Sequence, residues 1–322
     1  MILILSNKWD ITVDFVIREL RARRAEFVRI NTEDLIQDGI VFRFPGPSLL
    51  IGKGPKVLDL SRVTAIWCRR PGKPFDFVPR EHRPSDAIQK FTSDQWFACL
   101  EALELLSNVC WVNPPAASDQ MESKLRQLQL ASELGFNIPR TLVSNRGDEI
   151  RAFCKSEGGQ IVTKALYAPL IEEPEQDFFV FSTVVTSADL QDNVSLSLAP
   201  SIFQQVLSPK IDYRVTVIGD KVIAVRIAPT EDSQGEVALD WRTREANVRF
   251  EASDIPKPIE QLCRDFVTRA GLMFGAIDLV EHAGRFFFLE INPNGEWGWL
   301  EKTAGVPISS ALCDVLIDGM QQ

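Results

Sequence analysis

Asp278, Glu290 and Asn292 put three oxygen-bearing side chains into the otherwise apolar runs "AIDLV" and "FFFLEIN". Both runs read as strands, and the connection "EHAGR", turning about Gly284, sets Asp278 directly across from Glu290. Glu290 and Asn292 are two positions apart and share one face, while Leu289 and Ile291 point to the other. Like charges placed opposite each other destabilise a sheet unless a cation lies between them. Oxygen donors without histidine or cysteine select magnesium or manganese, and magnesium usually takes one or two carboxylates together with phosphate oxygens. The pattern implies a metal-nucleotide site. Its plain alternative is a solvated sheet face that carries acidic residues.

Other residues could supply the positive charge that such a site needs. Lys124 falls in the first turns of a helix whose capping box would be Asp119 and Glu122, whose apolar face is Leu125, Leu128 and Ala131, and whose C-cap is Gly135. The helix dipole disfavours a lysine there, which points to an anion nearby; an incidental surface lysine is the other reading. Lys164 ends the strand "QIVTKAL", where it either meets an anion or snorkels at an edge. Gln204, Gln205 and Val206 make a polar point between two apolar runs, able to read an adenine edge by hydrogen bonds. Arg214 and Arg226 lie in a hairpin turning at Gly219 and Asp220, and both need anionic partners or open water. Arg69 and Arg70, at a strand's end, either hold a phosphate or carboxylate or form a surface turn. Asp240 and Arg242 sit in the loop-like "DWRTREANVRF". No Ser-His-Asp or Cys-His set is found.

The elements that must carry these residues alternate between strand and helix. "MILILS", the amphipathic "DITVDFVIRELRARRA" and "EFVRIN" make a βαβ unit. No G-x-G-x-x-G follows the first strand, which argues against dinucleotide binding there. A long helix is expected from about Pro84 to Ser107, and Pro114-Pro115 marks a boundary. The 322 residues, with 45% hydrophobic and 25% charged, suit two or three soluble globular domains. A net charge of -9 excludes a broad grip on nucleic acid or on an anionic membrane, so any anion must meet a local basic pocket. The short apolar N-terminal run has no cleavage site and no window reaches membrane-span length, which predicts a cytoplasmic protein. Six scattered cysteines and two histidines speak against a disulfide framework or a zinc site.

Taken in order, Lys124, Lys164, "FQQV", Arg226, Asp278 and "LEINPNGEWGW" resemble the ATP-grasp ligases, and more closely the macrocyclases of graspetides, the microviridin-type ribosomal peptides. The resemblance runs over nearly the whole chain, through "IWCRRP", "KIDYRVTVIGDKVIAVRI" and "DWR". It implies an α/β (α+β) ATP-grasp fold with a pre-ATP-grasp βαβ domain at residues 1–115, a central lobe at 116–205 and a C-terminal lobe at 206–322. ATP would lie between the last two lobes.

By the same resemblance, Lys124 and Lys164 would bind phosphates, Gln204, Gln205 and Val206 would contact adenine, and Asp212 would join the nucleotide-binding set. Arg226 would neutralise the γ-phosphate, Asp278, Glu290 and Asn292 would hold Mg2+, with Mn2+ a possible substitute, and Arg214, Asp240 and Arg242 would stand near the acceptor. A substrate carboxylate would attack ATP to give an acyl phosphate, and a hydroxyl or amine would then displace phosphate. In graspetide makers both groups belong to one ribosomal precursor peptide whose leader segment docks on the enzyme, and a homodimer is the family's usual habit. Two alternatives remain: another ATP-grasp ligase that joins an amino acid or small amine to a peptide or small acid, and a non-catalytic ATP-binding protein.

Overall fold

In the computed structural model, which describes residues 1–44, 48–52, 57–106, 108–167, 170–171, 178–180, 182–230 and 248–319, the first apolar run is a wholly buried strand, β1 (Ile2–Ser6). Helix α1 (Thr12–Ala22) buries Val13, Val16, Ile17 and Leu20, the stripe that helical spacing requires. Strand β2 (Phe27–Asn31) returns parallel to β1, and β3 (Ala65–Cys68) and β4 (Cys110–Val112) extend the sheet in the order β2-β1-β3-β4. A parallel sheet must be covered on both faces. Ile2 and Ile4 pack with α1, Trp297 and the last helix, Ile308–Asp318, so the two ends of the chain share one core. Leu3 and Leu5 face the other way, towards Leu35, Leu60 and Leu103, with Trp96 and Leu100 from α2 (Asp86–Glu101) at the margin.

Beyond the Pro-Pro pair the structure differs from the sequence expectation. Pro115 opens a short separate helix, Pro115–Gln120, that encloses Asp119, and α3 (Lys124–Leu134) starts at Lys124 itself. The Asp119–Glu122 capping box therefore does not form, because proline at a first helical position nucleates the earlier turn. Gly135 does end α3, at φ 94° in the left-handed region. The buried face of α3 is Gln127, Leu128 and Ala131, and Leu125 is exposed.

A four-stranded antiparallel sheet follows, formed by β5 (Thr141–Ser144), β6 (Ile161–Lys164), β7 (Thr183–Val184) and β8 (Ser201–Gln205) in the order β7-β6-β8-β5. Helix α4 (Gly147–Ser156) covers it with Ile150 and Cys154.

A five-stranded antiparallel sheet is formed by β9 (Ile211–Ile218), β10 (Lys221–Pro229), β11 (Val248–Ser253), β12 (Phe274–His282) and β13 (Arg285–Asn292), ordered β11-β10-β9-β12-β13. The hairpin between β9 and β10 turns at Gly219 and Asp220, as its sequence predicts. One face carries Tyr213, Val215, Val217, Ile277, Leu279, Phe288 and Ile291 onto α3 and onto α5 (Lys257–Arg269). Phe288 stacks on Phe266 of α5 with ring centroids 5.0 Å apart. Asp278 pairs with Glu290 but Leu279 pairs with Phe288, so Leu289 is the extra residue of a β-bulge. Phe288 thus takes the core position that simple alternation gives to Leu289.

Candidate functional site

The bulge leaves the acidic side of the sheet intact. Asp278 and Glu290 are cross-strand partners, and Asn292, opposite Ala276, lies on the same face two positions on. Arg214 is opposite Asp278 on the third strand, and its Nη1 is 3.0 Å from Asp278 Oδ1 with both side chains nearly buried. Lys124 Nζ is 3.7 Å from Glu290 Oε2 and donates a hydrogen bond of 2.9 Å to the carbonyl of Ala165, the residue after Lys164. Each carboxylate of the opposed pair thus faces a cation. Lys124 joins the start of α3, the end of β6 and the acidic strand at one point.

The loop that follows β13 is gripped from several directions. Asn292 Oδ1 accepts from the amide of Asn294 at 2.8 Å. Asn113 Nδ2 donates to the carbonyls of Pro293 and Phe274, and Asn113 Oδ1 accepts from the amides of Met273 and Phe274. Arg69 Nη1 donates to the carbonyls of Asn294 and Gly295 at 3.0 and 3.1 Å, while its Nε lies 3.0 Å from Asp10 Oδ2. Burial draws the Arg69 guanidinium down to about 10, and the Asp10 carboxylate opposes that shift. Arg70 is ion-paired with Glu296. Gly295 has a steric reason as well: a Cβ there would stand 2.5 Å from the Cβ of Ala276. Of the alternatives open for this pair, Arg69 is no surface turn, and both arginines meet carboxylates, Asp10 and Glu296.

The adenine-reading expectation is changed in part. Gln204 and Gln205 end strand β8, and no linker begins with them. Gln204 is buried and donates to Thr141 Oγ1 at 2.9 Å, and Gln205 Oε1 accepts from the Arg140 amide at 3.0 Å. Both side chains are engaged with β5 and its approach, and Val206 follows directly.

Asp212 lies on the face of Arg214 and Asp278, 2.7 Å from Lys210 Nζ. Arg226 does not. It is paired in register with Tyr213 and Glu251, so strand alternation turns it to the opposite face, where its Nη1 is 3.2 Å from Glu251 Oε2. The expected neighbourhood of Arg226 and the metal donors is corrected on that ground. Asp240 and Arg242 lie outside the described residues.

Among the described residues no group of three or more His, Cys, Asp or Glu side chains gathers to hold a metal. The donor set here is of a different kind, two carboxylates and an amide, all hard oxygens and already facing cations. That chemistry fits magnesium completed by phosphate oxygens.

No family model matches the chain. Over almost its full length it is similar to solved ATP-grasp structures. The macrocyclase MdnC of Microcystis aeruginosa MRC, bound with precursor peptide MdnA, superposes with a TM-score of 0.86 at 27% identity, covering 99% of each chain. The macrocyclase MdnB from the same organism gives 0.78 at 27% identity over 98% of each chain. A Chryseobacterium gregarium RiPP-associated ATP-grasp ligase, in complex with ADP and a leader and core peptide, gives 0.85 at 24% identity over 98% of this chain and 96% of that one. Curated relatives include a probable alpha-L-glutamate ligase of Shewanella loihica, 29% identical over 130 residues, 39% of this chain and 42% of that one. Another, from Vibrio atlanticus, is 28% identical over 225 residues, 68% of this chain and 70% of that one. The matched region is thus 42% of the length of the first curated relative. The chain has the fold of an ATP-grasp ligase. Within that class the two macrocyclases MdnC and MdnB, each 27% identical, are among the solved structures it is similar to. Among the described residues no helix is long and apolar enough to cross a membrane.

Proposed function

We propose that this protein is an ADP-forming ligase that activates Asp or Glu side-chain carboxylates of a ribosomal precursor peptide and joins them to Ser or Thr hydroxyls or Lys amines of the same peptide. The observation that carries the reading is the opposed pair Asp278 and Glu290, each met by a cation, at the meeting of α3, β6 and β13 in this fold. Asp278, Glu290 and Asn292 would hold magnesium, which when bound screens the phosphate charge. Lys124 and Lys164 would bind phosphates, and the end of β8 at Gln204, Gln205 and Val206 would take the adenine. A peptide carboxylate oxygen attacks the γ-phosphorus, ADP leaves, and the acyl phosphate then loses phosphate to the incoming hydroxyl or amine, with that nucleophile's proton released. The protein's share is positioning and positive charge. Arg214 steadies Asp278, whereas Arg226 serves Glu251 and has no phosphate role. Asp240 and Arg242 are assigned to the acceptor side by resemblance alone.

We divide the chain for this purpose at about residues 115 and 205, and take the leader segment of the peptide, a homodimer and a cytoplasmic setting as parts of the same reading. The curated relatives favour a second one, the addition of an amino acid such as glutamate to a separate acceptor. Mass spectrometry of a precursor peptide encoded next to this protein, incubated with ATP and magnesium with and without free glutamate, tests both. Loss of one water per bond formed, dependent on ATP, supports macrocyclisation. A gain of glutamate less one water, dependent on added glutamate, supports the second reading, and an unchanged peptide alongside ATP binding rejects the first.

A further inference from the structure

Gln127 breaks the pattern of its own helix. It is 3% exposed in the apolar face of α3, while Leu125 on the same helix is 47% exposed. Burying a carboxamide where a leucine would fit is costly unless every polar atom is bonded. Here each is. Gln127 Oε1 accepts from the amide of Ile291 at 3.0 Å, and Nε2 donates to the carbonyl of Ile291 at 3.0 Å and to that of Met121.

Strand β13 is at the edge of its sheet, so its outer amides and carbonyls lack a neighbouring strand. The Gln127 side chain gives Ile291 the in-and-out pair of bonds that a paired residue would give. Further along the same edge, Asn137 accepts from the amide of Phe288 at 2.8 Å and donates from Nδ2 to the carbonyl of Phe286 at 2.9 Å. The bulged stretch Leu289–Glu290 is therefore pinned on both sides. A strand free to slip by one residue would carry Glu290 to the wrong face.

We infer that Gln127 is a positioning residue for the magnesium-nucleotide site, a one-residue substitute for a missing strand that fixes Ile291 and so the two oxygen donors flanking it, Glu290 and Asn292. Lys124 stands three positions earlier on the same side of α3, so one anchor sets the helix, its lysine and the acidic strand together. The amide does this without adding charge to the site. The inference rests on the functional reading above.

The test is titration of magnesium into protein holding a non-hydrolysable ATP analogue, well below the unfolding temperature. Wild type, Gln127→Met and, as a control on the exposed face of α3, Gln129→Met are compared. Gln127→Met is expected to weaken magnesium about 10–100-fold, the usual effect of removing an outer partner of a metal ligand, and Gln129→Met to leave it unchanged. A residue that only stabilised the fold would lower the unfolding temperature and leave the dissociation constant of the folded protein where it was. Should Gln127→Met not fold, Gln127→Asn, neutral but one methylene too short to hold both bonds to Ile291, takes its place and is expected to weaken magnesium at least about 10-fold. An unchanged constant in the folded variant, with wild type binding normally, overturns this inference alone. Wild type that binds no magnesium with nucleotide overturns the functional reading and this inference with it.

Discussion

Lys124 Nζ lies 3.7 Å from Glu290 Oε2 while it donates to the carbonyl of Ala165, so one ammonium spans from the acidic strand to the end of β6. Lys124→Met is expected to weaken ATP-analogue binding about 10–100-fold, as loss of a charge-assisted bond of about 1.5–3 kcal/mol implies. The pair is partly exposed, so stability should fall by no more than about 1 kcal/mol. Calorimetric titration together with thermal unfolding of the same sample checks both. A large fall in unfolding temperature with unchanged nucleotide affinity would reverse the assignment.

Arg69 predicts the opposite balance. It is sealed with Asp10 and holds the carbonyls of Asn294 and Gly295. Arg69→Met leaves a buried carboxylate without its cation, a loss of about 3–5 kcal/mol. Arg69→Lys should recover only part of this, because a point charge cannot reach Asp10 and two carbonyls at once. Denaturant unfolding of the single variants and of the Arg69→Met/Asp10→Asn pair gives the test, with the double change expected to cost less than the sum.

The alkaline limb of stability should reflect the buried thiols. Burial pushes Cys263 and Cys313 up to about 12, well above the ordinary thiol range. The folded protein keeps protons that the unfolded chain releases from about pH 8.5 upward, so this contribution is complete below that pH and is lost as pH rises towards 12. Unfolding temperatures measured from neutral pH to about pH 10 should decline, and alkylation of these two thiols in the native state should be slow at about pH 8. Rapid native-state alkylation of Cys263 would contradict the burial argument.

Local pattern was enough for some of this architecture and blind to the rest. Alternation and the turn at Gly284 set Asp278 against Glu290, and helical spacing identified the buried side of α1. The bulge at Leu289 escaped because nothing local marks an extra residue in an apolar run. Asn113, Gln127 and the carbonyl bonds of Arg69 escaped for a different reason: each residue bonds to backbone between Ile291 and Gly295, at least 160 positions away, and a carbonyl has no sequence signature. Arg226 was misjudged because the resemblance supplied a role without a strand face, and register with Tyr213 decides the face.

That difference of face yields the sharpest comparison. Glu290→Gln keeps the size of the side chain and removes its charge, so magnesium binding in the presence of an ATP analogue should fall by at least about 100-fold and product formation should cease. Arg226→Gln, on the other side of the sheet and bonded to Glu251, should leave the magnesium titration unchanged within error. The nucleotide affinity of the Glu290 variant without metal should be equal to or tighter than that of wild type, because a negative charge near the phosphates has gone. If Arg226→Gln matched Glu290→Gln in magnesium affinity, the two residues would have to share one site, and the register argument that separates them would fail.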